Sequence, residues 1–204
     1  MKKTLYFIRH AQSRPSIRIS DARWPLSERG LAQASQLPDL LKALGIGQVF
    51  SSPYLRCMQT IGPFAKAVNL DIEQRQGLHE RMISKILVDD FIPIWQQSWN
   101  DFDFALPGCE SNRQAQSRFL AAVREIVRES LAETVGICSH GAVMGLLIHA
   151  LEDGTGREQV DALTNPDVIR IVIDNDVWNW DRQFQIPCLI EIASRPQETP
   201  IDLN

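Results

Sequence analysis

Short apolar runs alternate with longer periodic ones along this chain. Leu5-Tyr6-Phe7-Ile8 is continuous and rich in aromatic and β-branched residues, which predicts a strand buried on both faces. Gln48-Val49-Phe50-Ser51-Ser52 and Val135-Gly136-Ile137-Cys138 predict two more, and Asp71 to Gln74 a weaker one. Helix signals fill the stretches between them. Ser27 is an N-cap for a helix running to about Leu44, stopped by Gly45 and bent or divided at Pro38. Ser52 as N-cap with Pro53 at the first helical position predicts a second helix, kinked at Gly62-Pro63 and ending near Asn69. Ser111 and Gln114 fit a capping box, and the helix they open buries Phe119, Leu120, Val123, Ile126, Val127 and Leu131 as one stripe. A further helix runs from Ala142 to about Leu151.

Between Met82 and Leu106 the pattern is mixed. Ile86, Leu87, Asp90, Phe91, Ile94, Trp95 and Trp99 recur at roughly helical spacing, so this segment reads as a helical cap with both tryptophans as packing residues. Near the end, Val168 to Ile173 and Val177 to Trp180 are strand-like and joined by the turn Asp174-Asn175-Asp176. Ile186 to Ala193 predicts a last strand, and the tail 194–204 is left unassigned. Strands alternating with helices, followed by an antiparallel pair, predict an α/β three-layer sandwich: a mostly parallel mixed sheet flanked by helices, with a small helical cap insertion at 81–106.

Composition narrows the partners rather than the fold. The 204 residues suit one domain spanning 1–204, and a formal net charge of −4 argues against a general nucleic-acid binder. The apolar run after Met1-Lys2-Lys3-Thr4 stops at Arg9, too short for a signal peptide, and no stretch approaches membrane-spanning length. Cys57, Cys109, Cys138 and Cys188 are widely spaced with no histidine at ligand spacing, so reduced thiols in a cytoplasmic protein are expected and a metal site is not. No cofactor is implied. The C-terminal hairpin strands offer an edge that a homodimer could use.

Polar residues gather where the buried runs end. Arg9-His10 follows the first strand, Ser52 leads to Arg56 in the first turn of a helix, and Ser139-His140-Gly141 opens another. In parallel α/β sheets, loops leaving the strand tips form the ligand crevice. Two guanidiniums, two imidazoles and the free N–H groups of Gly141 and Ala142 at a helix N-terminus suit a phosphoryl dianion. A neutral imidazole can attack phosphorus in line, giving a covalent phosphohistidine. Arg14, Arg18, Arg23 and Arg29 read either as a solvated basic loop or as a positive rim drawing an anion inward.

The order of these motifs resembles a known family. Arg9-His10-Ala11-Gln12-Ser13 is similar to R-H-G-E/Q-T/S, and Ser51-Ser52-Pro53-Tyr54-Leu55-Arg56 with Gln59-Thr60 to S-S-P-x-x-R-x-x-Q-T. Leu78-His79-Glu80 matches L-x-E, Pro107-Gly108-Cys109-Glu110-Ser111 matches P-G-G-E-S, and Ser139-His140-Gly141 matches S/T-H-G. Together they resemble the histidine phosphatase (phosphoglycerate mutase-like) superfamily. That resemblance implies His10 as the phosphorylated nucleophile, Arg9 and Arg56 on the phosphoryl group, His140 as a second pocket histidine and Glu80 as the general acid. Ser13 and Ser16 would add phosphate contacts beside Gly141 and Ala142. Asp89 and Asp90 are rival acids in the cap, and His79 and His149 are assigned no role.

Three positions depart from the pattern. Ala11 replaces a usual Gly, which requires that its backbone avoid positive φ. Ser16 stands where mutases often carry Asn, and Arg81-Met82-Ile83-Ser84-Lys85 replaces their G-x-W-E-G run. The expectation is a metal-independent phosphatase hydrolysing a small-molecule phosphate monoester through phosphohistidine on His10. The alternatives are a phosphoglycerate-type mutase and a non-catalytic phospho-ligand binding protein.

Overall fold

The computed structural model describes residues 2–85, 91–152, 154–186 and 189. Among them the chain runs β1 (Lys2–Arg9), α1 (Glu28–Leu41), β2 (Gln48–Ser51), α2 (Leu55–Ala67), β3 (Ile72–Gln74), α3 (Phe91–Asn100), α4 (Asn112–Glu129), β4 (Thr134–Ser139), α5 (Gly141–Leu151), α6 (Gly156–Ala162), β5 (Asp167–Asp174) and β6 (Val177–Asp181). The strands form one sheet in the order β3-β2-β4-β1-β5-β6. β1 to β4 are mutually parallel and β5 and β6 add antiparallel. This is the expected α/β mixed sheet.

The continuous apolar runs follow from burial on both sides. Alternate residues of β1 serve opposite layers: Leu5 and Phe7 pack with α4 and α5, Tyr6 and Ile8 with α1 and α2. A strand with a polar face could not occupy that central position. Parallel neighbours put the C-terminal ends of β2, β4 and β1 side by side, with Arg9 in register with Ser139 and Ser51 with Cys138. The chemistry-bearing residues therefore leave the sheet along one edge.

Several local expectations hold. Ser27 caps α1 by accepting from the Gly30 amide, α1 continues as a 3-10 turn to Leu44, and Gly45 takes a left-handed conformation there. The Ser111–Gln114 capping box forms with both reciprocal bonds. Asn175 and Asp176 turn the β5–β6 hairpin with positive φ. In the cap, Phe91, Trp95, Trp99 and Phe102 contact one another in succession, as packing residues do.

Others are corrected. Ser52 does not cap α2, because Tyr54 occupies that position and Pro53 precedes the helix. The Ser52 hydroxyl instead accepts from the Tyr54 amide at 3.3 Å and meets the His140 ring. Pro38 does not divide α1, and Pro63 lies inside α2, which runs on to Ala67. Leu131 is not part of the α4 stripe: the helix ends at Glu129, and Leu131 is 95 % exposed where the chain turns into β4. The short helix α6 was not foreseen. Residues 86–90 and 194–204, including Asp89 and Asp90, lie outside the described residues, as does most of the strand expected over Ile186–Ala193. Among the described residues no helix is long and apolar enough to cross a membrane, and no group of three or more His, Cys, Asp or Glu is placed to hold a metal ion.

Candidate active site

β1 delivers Arg9 and His10 to the sheet edge, where the His10 amide donates to Ser139 O of the neighbouring strand at 3.0 Å. The His10 ring is buried, and its Nδ1 lies 2.8 Å from Ala11 O. A carbonyl can only accept, so Nδ1 carries the proton and Nε2 presents its lone pair. Arg56 Nε–H points at that lone pair from 3.2 Å. Burial, reinforced by the Arg56 and Arg9 charges, holds the His10 imidazole well below its ordinary pKa, so the ring is neutral. Asn165 Nδ2 donates to His10 O at 2.8 Å and locks the backbone behind the ring.

His140 is fully buried at the N-cap of α5, its ring centroid 5.2 Å from that of His10. Its Nε2 lies 2.8 Å from Ser52 Oγ. Burial again comes first in depressing its pKa, followed by Arg56 and His10. Arg56 sits in the first turn of α2, with Nη1 donating to Asp21 O at 2.6 Å and its guanidinium against the Tyr54 ring at 4.9 Å and the Trp24 ring at 5.7 Å. Arg9 Nη1 donates to Leu163 O at 2.7 Å, while its buried Nε–H has no partner among the described residues, a donor that a bound anion would satisfy. The glycine of the Ser-His-Gly turn has a steric reason: a Cβ on Gly141 would stand 3.1 Å from Arg9 Cζ.

The expected anion at the α5 N-terminus is already there, as Glu80. Its carboxylate accepts from the amides of Ala142 at 3.2 Å, Val143 at 3.3 Å and Arg81 at 2.8 Å. This places Glu80 against the helix that His140 caps and takes the Ala142 amide, expected to face substrate, for the protein's own use. The carboxylate sits there because the free amides and the helix dipole attract it. The Arg81 guanidinium goes elsewhere: Nη1 donates to Ser98 Oγ of α3 and Nε to Glu110 O. Its burial pushes it down to about 10 despite Glu80 and Glu110 nearby.

Glu110 of the Pro-Gly-Cys-Glu-Ser match explains why that motif belongs with the site. Arg118 grips it bidentately at 2.8 and 2.8 Å, while Arg118 Nη1 donates to Gly77 O at 2.8 Å and His79 O at 3.0 Å. Burial works to raise the Glu110 carboxyl, but the Arg118 bonds outweigh it and hold it low. The pair clamps the turn that carries Glu80. Gln59 and Thr60 also serve the site indirectly: Thr60 Oγ1 accepts from the Ala11 amide at 2.9 Å and Gln59 Oε1 from the Leu26 amide at 2.8 Å. Ala11 avoids positive φ, so its replacement of Gly is without strain. Behind it, Gly30 is obligatory, because a Cβ there would meet Gln12 O at 2.0 Å.

His10, His140, Arg9, Arg56 and Glu80 thus lie around one region, with Gly141 and Ala142 on its helix. Ser13 is held in a β-bridge to Leu26 in the loop between β1 and α1. Ser16 accepts from the Arg18 amide at 3.2 Å in the same loop, with no hydrogen bond to either guanidinium or either histidine. Arg14, Arg18, Arg23 and Arg29 are exposed and, among the described residues, form no ion pair. His149 is packed against Phe102 at 4.5 Å, away from this chemistry, and Cys138 is a buried thiol whose pKa burial raises. Sequence reasoning missed Trp24, Tyr54 and Asn165. The signal for Tyr54 was its place inside the Ser-Ser-Pro-x-x-Arg match, and for Trp24 an aromatic within an arginine-rich loop. A groove of about 750 Å³ lined by Lys2, Thr4, Arg128, Leu131 and Glu133 lies at the opposite end of the sheet and touches none of these residues.

Solved structures share this fold. Mycobacterial glucosyl-3-phosphoglycerate phosphatase superposes with a TM-score of 0.71 at 20% identity, covering 89% of this chain and 98% of that one. YhfR of Bacillus stearothermophilus gives 0.72 at 23% over 89% and 96%. A phosphoglycerate mutase from Bacillus anthracis gives 0.74 at 19% over 94% and 96%. Residues 5–185 match the family model of the histidine phosphatase superfamily (branch 1), and the chain belongs to that superfamily.

Proposed function

We propose that this protein is a metal-independent phosphatase that hydrolyses phosphate monoesters through a phosphohistidine on His10. The observation that carries this reading is the His10 ring: neutral, its Nδ1–H committed to Ala11 O, its Nε2 lone pair facing Arg56. Nε2 attacks phosphorus, the bond to the ester oxygen breaks, and the leaving alcohol takes a proton from Glu80. Water then attacks phosphorus, Glu80 takes its proton, and the P–N bond returns its electron pair to Nε2. Arg9 and Arg56 spread charge from the phosphoryl oxygens, and the buried Arg9 Nε–H finds an acceptor. Two amides bond to Glu80 Oε1 and one to Oε2, which leaves a lone pair on Oε2 to carry the proton for the leaving oxygen.

Steady release of phosphate from p-nitrophenyl phosphate in the presence of EDTA, abolished by His10→Ala, is the expected result. Equal inactivity of both proteins across a broad phosphate panel would favour a binding protein instead. The phosphoglycerate mutase among the structural neighbours makes isomerisation the second reading. Incubation with 3-phosphoglycerate and a trace of 2,3-bisphosphoglycerate separates the two: isomerisation faster than phosphate release would replace the phosphatase reading.

A further inference from the structure

Side chains packed against Arg56 border any ester held between His10 and Arg56. Those are aromatic. Tyr54 lies 4.9 Å and Trp24 5.7 Å from the Arg56 guanidinium, and Tyr54 continues into His79, nearly parallel to it at 10° and 5.9 Å. Trp24 is anchored by its Nε1–H on Ser16 O at 2.9 Å, which leaves its ring as the apolar part. All three rings are only partly buried. The remaining donors of Arg9 and Arg56 are those the phosphatase reading assigns to the phosphoryl oxygens, which leaves neither guanidinium for a charged group on the alcohol half.

A second observation points the same way. Large apolar side chains left in water are concentrated on the segments that carry the site. Ile17 and Ile19 are on the loop whose Asp21 O holds Arg56, Leu55 precedes Arg56, and Met82 follows the Glu80 turn by two residues. Phe91 and Ile92 are exposed on the cap helix, leaving only Leu31, Leu131 and Val177 elsewhere among the described residues. Exposed apolar groups gathered in this way mark a ligand surface. We propose that Trp24 and Tyr54, with the apolar side chains of the same segments, form a leaving-group subsite that selects phosphate monoesters of uncharged, apolar alcohols. It rests on the phosphatase reading for turnover, but not for binding. Arg14, Arg18 and Arg23 on the loop are the rival feature, since they would suit a second anionic group on the substrate.

The test compares kcat/KM for benzyl phosphate and hexyl phosphate with glycerol 3-phosphate and 3-phosphoglycerate, all esters of primary alcohols. The apolar pair is expected to lead by about tenfold or more. Trp24→Ala should bring the benzyl-to-glycerol ratio down about tenfold, chiefly through KM, and Trp24→Phe should restore most of it. Met82→Ser supplies a second variant should the first fold poorly, with a smaller fall in the same ratio. Preference for 3-phosphoglycerate or glycerol 3-phosphate, or a ratio indifferent to these substitutions, overturns the subsite. Calorimetric titration of benzyl phosphate and glycerol 3-phosphate into His10→Ala keeps the two ideas apart. Tighter benzyl binding without turnover by the wild type would leave the subsite standing and remove the phosphatase. Equal affinity, or none, for the two ligands would remove the subsite whatever the wild type hydrolyses.

Discussion

His10 and His140 are almost wholly shielded from water, whereas Trp24, Tyr54 and His79 beside them are only partly covered. The inner residues are held by directed hydrogen bonds to backbone: His10 to Ala11 O, Arg9 to Leu163 O, Arg56 to Asp21 O. Of the outer ones, Trp24 and His79 are each tied to backbone at one nitrogen, Trp24 to Ser16 O and His79 to Glu80 O. Their faces meet their neighbours through ring contacts, which tolerate sliding. Directed bonds fix orientation to fractions of an ångström, as an in-line displacement needs. Ring contacts fix only a surface, which is what the proposed choice among alcohols needs. The proposed rate and the proposed selectivity thus rest on two kinds of interaction at the same strand edge.

The comparison can be broken from its inner side first. His10→Ala should lower phosphate release from p-nitrophenyl phosphate by about a thousandfold or more, because no other side chain replaces Nε2. Next comes Arg56→Lys. It keeps the charge but loses the Nε–H on His10 and the planar fork, so kcat should fall about a hundredfold. A loss below about fivefold would show that charge alone suffices and that the directed bond is idle.

Arg118→Leu tests the clamp behind Glu80. Removing its grip on Glu110, Gly77 O and His79 O should loosen the Glu80 turn and cost about tenfold in kcat on alkyl esters. p-Nitrophenyl phosphate, whose leaving group hardly needs a proton, should lose much less. Equal losses on both substrates would reduce the clamp to general stability.

The smallest expected effect is on stability. Both buried imidazoles are held well below 6.5, by burial first and then by Arg56 and its neighbours. The unfolded chain therefore binds more protons than the folded one once pH drops below about 6.5, so stability is lost on acidification through that region and is indifferent to these groups above it. Urea midpoints measured between about pH 7.5 and pH 5 should fall, and His10→Gln with His140→Gln should flatten that slope. An unchanged slope in the double variant would assign the acid sensitivity to other groups.

Much of the inner pocket could be read from letters because it is local. Arg9-His10 and Ser139-His140-Gly141 each sit directly after an apolar run, and parallel pairing alone carries them to one edge. The collar could not be read so. Trp24 reaches Arg56 across the loop between β1 and α1, and the Leu163 O and Asn165 contacts join residues more than 150 positions apart. Ser52 misled for a related reason: cap chemistry is legible, but Ser52 lies short of the cap position at Tyr54, its hydroxyl bonding the Tyr54 amide and a histidine 88 positions away. Leu131 fits a helical stripe by spacing, yet the chain had to turn into β4 before the stripe could use it.

The amino-acid order alone determined which segments become buried strands and which polar residues stand at their ends, since periodicity and capping act over a few residues. Only the folded chain decided that Glu80 occupies the α5 N-terminus, that Arg118 braces its turn, and that the Trp24 and Tyr54 rings pack against Arg56. Those outcomes depend on which distant groups arrive within hydrogen-bond or van der Waals reach, and such distances exist only once the layers have packed.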